Sequence, residues 1–443
     1  MDTKNTALVI FGASGDLSSR KLIPALQILF LKGIIDHTNP IIGSGRSGFT
    51  DQEFRSHFKD LNPEFSANLH YHQYIPGLRA KLASLGNFNR LIFFFSLPPG
   101  VYAETAKALV DEGFGEEASI IIEKPFGRDY KSAVALNKEL AQYFDESRIY
   151  RIDHYLAKEA VQNLLVFRFA NTFFEPLWNS RYIEYIEINA FETLALEGRA
   201  AYFDTSGSMR DMVQNHLMQL LCLTTMEPPI SLDAPDIQYA KLSVLRTMKV
   251  EESYRFQYEG YTSEKGVKGD SNTDTYCELK ATINNFRWKG TPIYIRTGKA
   301  VNRKGTEIGV KFRSLPHLLF NESGIIPANE IRFQIQPTES ITLDLNSKIP
   351  GSDKKMKSTH MNFFYHEAFE EPIPEAYQKL LADVLAGDQT LFVSAAETEA
   401  SWKLLAPHLD RGEVSLYKRG KMPKSHFAVN WIDFEKTLES HNI

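Results

Sequence analysis

The first 150 residues alternate short apolar runs with amphipathic, helix-like segments, and this alternation restricts the fold more than any other feature of the chain. It is typical of βαβ units, which build a parallel sheet covered by helices. Strands are predicted at Thr6–Phe11, Pro40–Gly43, Leu91–Ser96, Ser119–Glu123 and Arg148–Arg151. Helices are predicted between them at Leu17–Leu31, Val101–Gly113 and Asp129–Tyr143. We therefore expect an N-terminal α/β domain with a Rossmann-like, doubly wound parallel sheet.

The pattern changes after residue 152, where strands cluster between longer helices. Strands are predicted at Tyr182–Phe191, Thr275–Ile283, Pro292–Ile295, Thr306–Phe312, Glu330–Ile335 and Ser340–Leu345. Helices are predicted near Val161–Ala170, Asp211–Thr225, Ala376–Leu385 and Glu397–Leu405. This arrangement favours a larger α+β domain built on a mostly antiparallel sheet with helices. The 443 residues are thus expected to form two domains, residues 1–152 and residues 153–443.

Composition excludes several classes of protein. Apolar residues make up 43% of the chain and charged residues 24%, which excludes disordered, collagen-like and simple coiled-coil proteins. The formal net charge of −5 gives the chain as a whole no attraction to nucleic acid or to an anionic membrane. The most apolar stretches are far shorter than a membrane-spanning helix, and Cys222 and Cys277 match no metal or disulfide spacing. We expect a cytoplasmic protein without nucleic-acid or membrane partners.

A turn with two glycines joins the first predicted strand to the first predicted helix. Gly12-Ala13-Ser14-Gly15 brings backbone N–H groups close to a pyrophosphate, to which the next helix adds its N-terminal partial positive charge. The spacing is not the full G-x-G-x-x-G, and such a turn is very often only a turn. Its place on the first βα junction of a doubly wound pattern favours dinucleotide binding.

The end of the second strand indicates which dinucleotide is bound. NAD sites normally place Asp or Glu there, where the carboxylate binds the ribose 2′-hydroxyl. Here the strand runs into Gly43-Ser44-Gly45-Arg46 with no acid. Arg46 is placed to meet a 2′-phosphate, although it could also be a solvent-exposed loop residue. Together with the glycine turn, this arginine favours NADP.

The segment Arg151–Glu159 concentrates an acid, an imidazole, a phenol and a cation at the predicted domain boundary. If it is helical, His154 and Lys158 are i,i+4 neighbours and both can point at one anion. Alternatively, Lys158 pairs with nearby acids on a solvated helix face. The segment by itself leaves both interpretations open.

The segment Arg210–His216 opens a long predicted helix rich in Leu and Met. A lone histidine there is more often a satisfied core residue than a catalytic one. Asp211 and His216 are five residues apart, so on a regular helix they lie about 140° apart and Asp211 cannot orient the imidazole well. If His216 is a base, its carboxylate partner comes from elsewhere, and Asp153 is the candidate.

Taken in order, these stretches resemble the glucose-6-phosphate dehydrogenase family over nearly the whole chain. The matching stretches are Gly12–Leu17, Glu123–Gly127, Arg151–Glu159, Glu197–Arg199, Tyr202–Asp204, Arg210–His216, Arg296–Lys299 and Gln336–Pro337. The resemblance implies oxidation of glucose 6-phosphate at C1 to the 6-phosphogluconolactone, with hydride transfer to NADP. It also implies a homodimer or a dimer of dimers.

The resemblance further implies a role for individual residues. His216 corresponds to the general base and Asp153 to the carboxylate that pairs with it. The residues implied to bind the sugar phosphate are Lys21, His154, Tyr155, Lys158, Glu192, Asp211, Lys299 and Lys304. Those implied to bind NADP are Gly12, Ala13, Ser14, Gly15, Asp16, Leu17, Arg46, Tyr102 and Lys124, and the Lys124–Pro125 bond is implied to be cis. No metal is implied, because the nicotinamide carries the electrons.

Three alanines depart from the family pattern, because Ala157 and the pair Ala200-Ala201 stand where the family usually has glycine. Their methyl groups could narrow the sugar pocket, so one alternative is a dehydrogenase of the same fold that acts on a modified or epimeric sugar phosphate. A second alternative is a non-catalytic NADP-binding regulator. The retention of Asp153, His154, Lys158 and His216 argues against that second alternative.

Overall fold

The computed structural model describes residues 4–196, 198, 200–317, 319, 327–352 and 354–434. Glu197 and Arg199, which belong to one of the matching stretches, lie outside the described residues. The chain forms two compact units. Unit 1 comprises Met1–Lys158, Pro229–Tyr239 and Pro374–Glu399, and unit 2 comprises Glu159–Pro228, Ala240–Ile373 and Ala400–Ile443. Among the helices of the described ranges, none is both long and apolar enough to cross a membrane.

Unit 1 contains, in its described residues, a six-stranded parallel sheet in the order β3-β2-β1-β4-β5-β6. Its strands are β1 Thr6–Phe11, β2 Ile41–Gly45, β3 Leu69–Gln73, β4 Arg90–Phe95, β5 Ala118–Ile122 and β6 Ile149–Arg151. The strand order reverses between β1 and β4, which is the point where doubly wound sheets bind ligands. The predicted fold of this part is therefore confirmed, with β3 as a strand that the sequence analysis missed.

Helices cover both faces of this sheet. The helical segments of the first 150 residues are Ser18–Leu22, Ile23–Leu31, Asp51–Ser56, Pro63–Ala67, Leu78–Leu85, Pro99–Val101, Tyr102–Asp111, Tyr130–Leu140 and Glu146–Arg148. Along β1, Leu8 and Ile10 enter one hydrophobic cluster while Ala7 and Val9 enter the other. Because successive side chains of a strand point to opposite faces, a strand buried on both faces is apolar throughout. That explains the short apolar runs from which these strands were predicted.

In the part of the chain that the structure describes, unit 2 forms a nine-stranded sheet in the order β14-β13-β12-β11-β7-β10-β9-β8-β15. Its strands are β7 Ile183–Phe191, β8 Met248–Tyr258, β9 Tyr276–Ile283, β10 Ile293–Gly298, β11 Gly305–Phe312, β12 Glu330–Gln336, β13 Ser340–Lys348, β14 Met356–Phe364 and β15 Ser415–Tyr417. The pairs β7–β10 and β8–β15 are parallel and the remaining pairs are antiparallel. The expected mostly antiparallel sheet is confirmed.

The helices after residue 158 divide between the two units: Ala376–Ala386 belongs to unit 1, Ala234–Thr247 and Ala395–Leu405 include residues of both units, and the others belong to unit 2. The helical segments after residue 158 are Glu159–Phe169, Glu175–Leu177, Ala200–Ser208, Met209–Leu217, Met218–Thr225, Ala234–Thr247, Tyr261–Ser263, Tyr365–Ala368, Ala376–Ala386 and Ala395–Leu405. Met209–Leu217 packs against β7 and β10. This packing places the segment that carries Asp211 and His216 on the centre of the sheet.

Candidate active site

The turn after β1 requires glycine at its first position. Gly12 has φ +75°, and a Cβ built on it would overlap the carbonyl oxygen of Ser96. The N–H groups of Gly12 and Ala13 donate to the carbonyl of Ser44, at 2.8 and 3.2 Å, and the N–H of Gly15 donates to the carbonyl of Gly12 at 2.9 Å. These three N–H groups thus shape the turn and are not offered to a ligand, contrary to the prediction for the turn. The exposed part of the turn is Ser14, Gly15 and Asp16.

The helix after the turn begins with a π-helical segment, Ser18–Leu22, in which the N–H of Ile23 donates to the carbonyl of Ser18 five residues earlier. Asp16 forms an exposed ion pair with Arg20 at 2.6 Å, and Leu17 packs against the core cluster on one face of the sheet. The ammonium of Lys21 contacts both carboxylate oxygens of Glu375, at 3.1 and 3.2 Å. Glu375 therefore neutralises a cation that was predicted to face the substrate.

A cavity of about 590 Å³ lies at the carboxyl ends of β1, β2 and β4. Gly12, Gly45, Arg46, Tyr74 and Leu97 contribute to its lining. The side chain of Arg46 is exposed, and no carboxylate among the described residues forms an ion pair with it. Since β2 ends without an acid, the cavity offers a free cation where an NAD site has a carboxylate. This is the place predicted for a 2′-phosphate.

Tyr74 is a cavity residue that the sequence analysis missed. Its φ is +61°, a conformation that is unusual for a bulky residue, and its side chain is about half exposed in the cavity. The hydroxyl of Ser44 donates to its carbonyl at 3.2 Å, which helps to hold this backbone. Strained backbone concentrates at functional sites. The available signal was its position directly after β3, a strand that was itself not predicted.

Tyr102 contacts Glu123 at the end of β5. Tyr102 is fully buried, and its hydroxyl donates to the carbonyl of Glu123 at 3.0 Å. The direct cofactor contact that the resemblance implies for Tyr102 stays a prediction. Burial raises the pKa of the Glu123 carboxyl to about 7, against the hydrogen bond from the Tyr377 hydroxyl and the charge of Lys124. The Lys124–Pro125 peptide bond is cis, as expected.

The segment between β6 and Glu159 is a succession of turns. The N–H of Leu156 donates to the carbonyl of Asp153 and that of Lys158 to the carbonyl of Tyr155, and the helix begins only at Glu159. His154 and Lys158 are therefore not i,i+4 neighbours on a helix, and that prediction is wrong. Tyr155 nevertheless joins the two: its ring centroid lies 5.1 Å from that of His154 and 5.0 Å from the Lys158 ammonium.

Asp153 lies at the start of these turns and is buried. Its Oδ1 accepts a hydrogen bond from the N–H of Tyr155 at 3.0 Å. This bond holds the carboxylate against the backbone of the same turn that presents His154 and Tyr155. The rotamer of Asp153 is thus coupled to the phosphate-binding residues implied by the resemblance.

In unit 2, the helix that carries Asp211 and His216 is not a regular α-helix. Met209–Leu217 is π-helical, and the N–H of Met218 donates to the carbonyl of Val213 five residues earlier. The angle of about 140° between Asp211 and His216 assumed 3.6 residues per turn. A π-helix has more residues per turn, so residues five apart lie closer to one face than that argument assumed. His216 itself is buried, and its N–H donates to the side-chain oxygen of Asn215 at 2.6 Å.

Three further predicted residues of unit 2 lie at one end of its sheet. Glu192 and Lys299 directly follow β7 and β10, which pair in parallel, and the two side chains form an ion pair. Lys304 precedes β11, whose Gly305 pairs with Phe191 at the end of β7. The ammonium of Lys299 also lies 5.2 Å from the Phe203 ring centroid. The sheet register therefore brings these three residues together.

The departing alanines differ in their surroundings. Ala157 has no exposed surface and belongs to the hydrophobic cluster that includes Leu380 and Phe392. Its methyl group is packed in the core of unit 1. Ala200 is buried and Ala201 is exposed at the start of a helix. The burial of Ala157 removes one of the reasons to expect an altered sugar pocket.

Comparison with known proteins gives matches over both units. Residues 9–163 match the family model of the glucose-6-phosphate dehydrogenase NAD binding domain, and residues 165–430 match that of the glucose-6-phosphate dehydrogenase C-terminal domain. The glucose-6-phosphate 1-dehydrogenase of Bacillus subtilis is 40% identical over 439 residues, which cover 90% of each chain. That of Borreliella burgdorferi is 38% identical over 435 residues, which cover 91% of each chain. A solved glucose-6-phosphate dehydrogenase in complex with glucose 6-phosphate is 33% identical, with a TM-score of 0.89 over 99% of this chain and 98% of the other.

Proposed function

The chain belongs to the glucose-6-phosphate dehydrogenase family, and on that premise we propose that it oxidises glucose 6-phosphate at C1 to the 1,5-lactone while NADP is reduced. The observation that carries this proposal is the cavity at the switch point of the parallel sheet. Gly12 shapes its turn and Arg46 supplies a cation where β2 ends without an acid. These residues fit a dinucleotide that carries a 2′-phosphate.

NADP, when bound, supplies the acceptor for the hydride that leaves C1. The protein has to remove the proton of the C1 hydroxyl at the same time. We propose His216 as the general base, because a neutral imidazole near pH 7 is suited to accept that proton. We propose Asp153 as the carboxylate that stabilises the resulting imidazolium, an assignment supported by the family resemblance.

The remaining predicted residues have binding roles in this proposal. His154, Tyr155 and Lys158 bind the phosphate, and their mutual contacts within one succession of turns support a common ligand. Glu192 and Asp211 accept hydrogen bonds from sugar hydroxyls, while Lys299 and Lys304 contribute positive charge. The phosphate is remote from C1, so its binding serves to position the reacting carbon. We likewise propose that residues 1–152 bind the cofactor and residues 153–443 the substrate.

Steady-state turnover with a panel of hexose 6-phosphates, each with NADP and with NAD, tests the proposed function. We expect the highest kcat/KM for glucose 6-phosphate with NADP. Equal or better turnover of an epimeric or modified sugar phosphate would favour the alternative dehydrogenase. A protein that binds NADP but turns over no sugar phosphate would instead be the non-catalytic regulator.

We also propose a homodimer or a dimer of dimers. The edge strand β14 is exposed along most of its length, and exposed edge strands can pair with another chain. Light scattering of the eluting protein during size-exclusion chromatography tests this assembly, and a monomer mass would contradict it.

For the compartment we propose a reducing cytoplasm. Cys222 and Cys277 are both buried free thiols, which such a compartment preserves. Fractionation of the source cells tests this assignment, and recovery in an oxidising compartment would contradict it.

A further inference from the structure

The helix that carries Asp211 and His216 begins on a buried carboxylate from a distant part of the chain. The N–H of Met209 donates to Oδ2 of Asp274 at 2.9 Å, and the N–H of Ser208 donates to the Asp274 carbonyl, also at 2.9 Å. Asp274 is only 2% exposed. The first turn of a helix has N–H groups without partners inside the helix. Asp274 satisfies two such groups at the start of this one.

Gly207 makes this close approach possible. Its φ is +69°, and a Cβ at this position would lie 2.7 Å from Oδ1 of Asp274. Any other residue would therefore combine a strained backbone with a displaced carboxylate. Glycine at position 207 thus lets the chain enter the next helix while the Asp274 carboxylate keeps its position.

Arg255 connects Asp274 to a second contact with the same helix. Its guanidinium donates to Oδ1 of Asp274 at 3.3 Å and lies 3.9 Å from Oδ1 of Asp410. Asp410 in turn accepts hydrogen bonds from both terminal nitrogens of Arg210, the residue next to Asp211. Positive and negative groups therefore alternate from Asp274 to Arg210, and both ends of this network contact the first turn of the helix.

The ionisation of Asp274 depends on that network. Burial raises the pKa of its carboxyl, while the Arg255 guanidinium and the Met209 N–H act in the opposite direction. A buried carboxylate without such partners would be neutral or displaced. The network therefore holds an acceptor oxygen at the start of the helix, where the N–H of Met209 donates to it.

A π-helical segment has particular need of such support. Long runs of i→i+5 hydrogen bonds are rare and occur mostly as single turns, frequently at functional sites. The direction in which Asp211 and His216 point depends on this geometry, since a regular α-helix would rotate one relative to the other. A shift of about 1 Å in a reacting group can lower a rate by about 100-fold.

From this geometry we propose that Arg255, Asp274 and Asp410 are positioning residues for the reaction, which fix the first turn of the helix that presents Asp211 and His216. The inference rests on the proposed function. It adds residues that lie outside the set implied to bind the substrate and outside the sequence stretches that carry the family resemblance. Their contribution is to keep the proposed base and the sugar-binding acid in register with the sheet beneath them.

Asp410→Asn is the decisive variant. The Asp410 side chain is 63% exposed, so the substitution should leave the fold intact and lower the melting temperature by no more than roughly 2 °C. We expect kcat for glucose 6-phosphate to fall about tenfold while the KM for NADP changes less than about twofold. With 1-deuterated glucose 6-phosphate, the primary isotope effect on kcat should rise, because a slower hydride transfer limits turnover to a larger extent.

Glu251→Gln is the matched control, since it removes an exposed acid of unit 2 that pairs with Lys249 away from the helix. It should keep the wild-type kcat and isotope effect. Asp274→Asn, which retains an oxygen for the Met209 N–H but loses the charge facing Arg255, should lower kcat further. If Asp274→Asn does not fold, Asp410→Asn still decides the question.

The two proposals can fail separately. Wild-type turnover of glucose 6-phosphate combined with an unchanged kcat and isotope effect in Asp410→Asn overturns the positioning role alone. A wild-type protein without activity on glucose 6-phosphate overturns the proposed function and this inference together. A lower kcat that follows only the folded fraction, with the isotope effect unchanged, identifies a purely structural network and also overturns the inference.

Discussion

The hydroxyl of Tyr377 donates a hydrogen bond of 2.9 Å to Oε1 of Glu123, although the two residues are 254 positions apart in the chain. Both belong to unit 1, which includes the late segment Pro374–Glu399. Glu123 is a partly buried acid, and desolvation of its carboxyl raises its pKa from 4.5 to about 7. Between these values the folded protein holds a proton that the unfolded chain releases.

Stability should therefore fall as the pH rises from about 4.5 to about 7. A pKa difference of about 2.5 units corresponds to roughly 3 kcal/mol of unfolding free energy at about 1.4 kcal/mol per unit. Glu123→Gln has no such proton to lose. Its unfolding free energy minus that of wild type should therefore be larger at pH 8 than at pH 4.5, by up to that amount. Urea denaturation at several pH values measures the unfolding free energy of both proteins. The contributions of other titrating groups cancel in the difference between them, because both proteins contain those groups. Parallel pH profiles for the two proteins would contradict the prediction.

Tyr377→Phe should make stability depend more strongly on pH, whereas Glu123→Gln should make it depend less. The phenol's hydrogen bond lowers the pKa of Glu123, so its removal raises that pKa further. We expect the loss of stability with pH to extend beyond pH 7 in this variant. The same denaturation series measures it, and a shift to lower pH would be inconsistent with the hydrogen bond.

Gly12→Ala should disrupt the cofactor turn. The new methyl group would overlap the Ser96 carbonyl, and φ +75° is strained for alanine. We expect a loss of about 1–3 kcal/mol of stability and an increase of at least about tenfold in the KM for NADP. Gly100→Ala is the matched control, because a Cβ there meets nothing within 4 Å. Similar behaviour of the two variants would show that the turn tolerates a side chain.

Arg46→Ala should change the preference between the two nicotinamide cofactors. A hydrogen-bonded charge contributes about 1.5–3 kcal/mol, so the KM for NADP should rise about 10- to 150-fold while the KM for NAD changes little. Lys107→Ala, which removes an exposed cation of the same unit, serves as the control. Equal effects on the two cofactors would remove the 2′-phosphate role of Arg46.

His216→Asn should abolish most of the chemical step. A general base contributes about 10²- to 10⁴-fold, so kcat should fall by that factor while the KM for glucose 6-phosphate changes much less. His317→Asn, which changes an exposed histidine between β11 and β12, should behave as wild type. Retention of most of the kcat by His216→Asn would exclude His216 as the base.

Much of the fold of unit 1 could be predicted from the sequence because its sheet is buried on both faces. β1 begins and ends at the predicted residues, and β4 and β5 differ from prediction by one residue at each end. β3 was missed because Leu69–Gln73 alternates apolar residues with His and Gln at the edge of the sheet. β8 was missed for a similar reason, since charged residues are frequent within Met248–Tyr258.

Local sequence by itself determined the glycine turn, the absence of an acid at the end of β2 and the order of the stretches that identify the family. It did not determine the partners of Lys21 and Glu123, because Glu375 and Tyr377 lie hundreds of residues further along the chain. Nor did it determine that the helix carrying His216 is π-helical and begins on Asp274. Periodicity reports which residues face a core, whereas ionisation and helix type depend on contacts that only the folded chain makes.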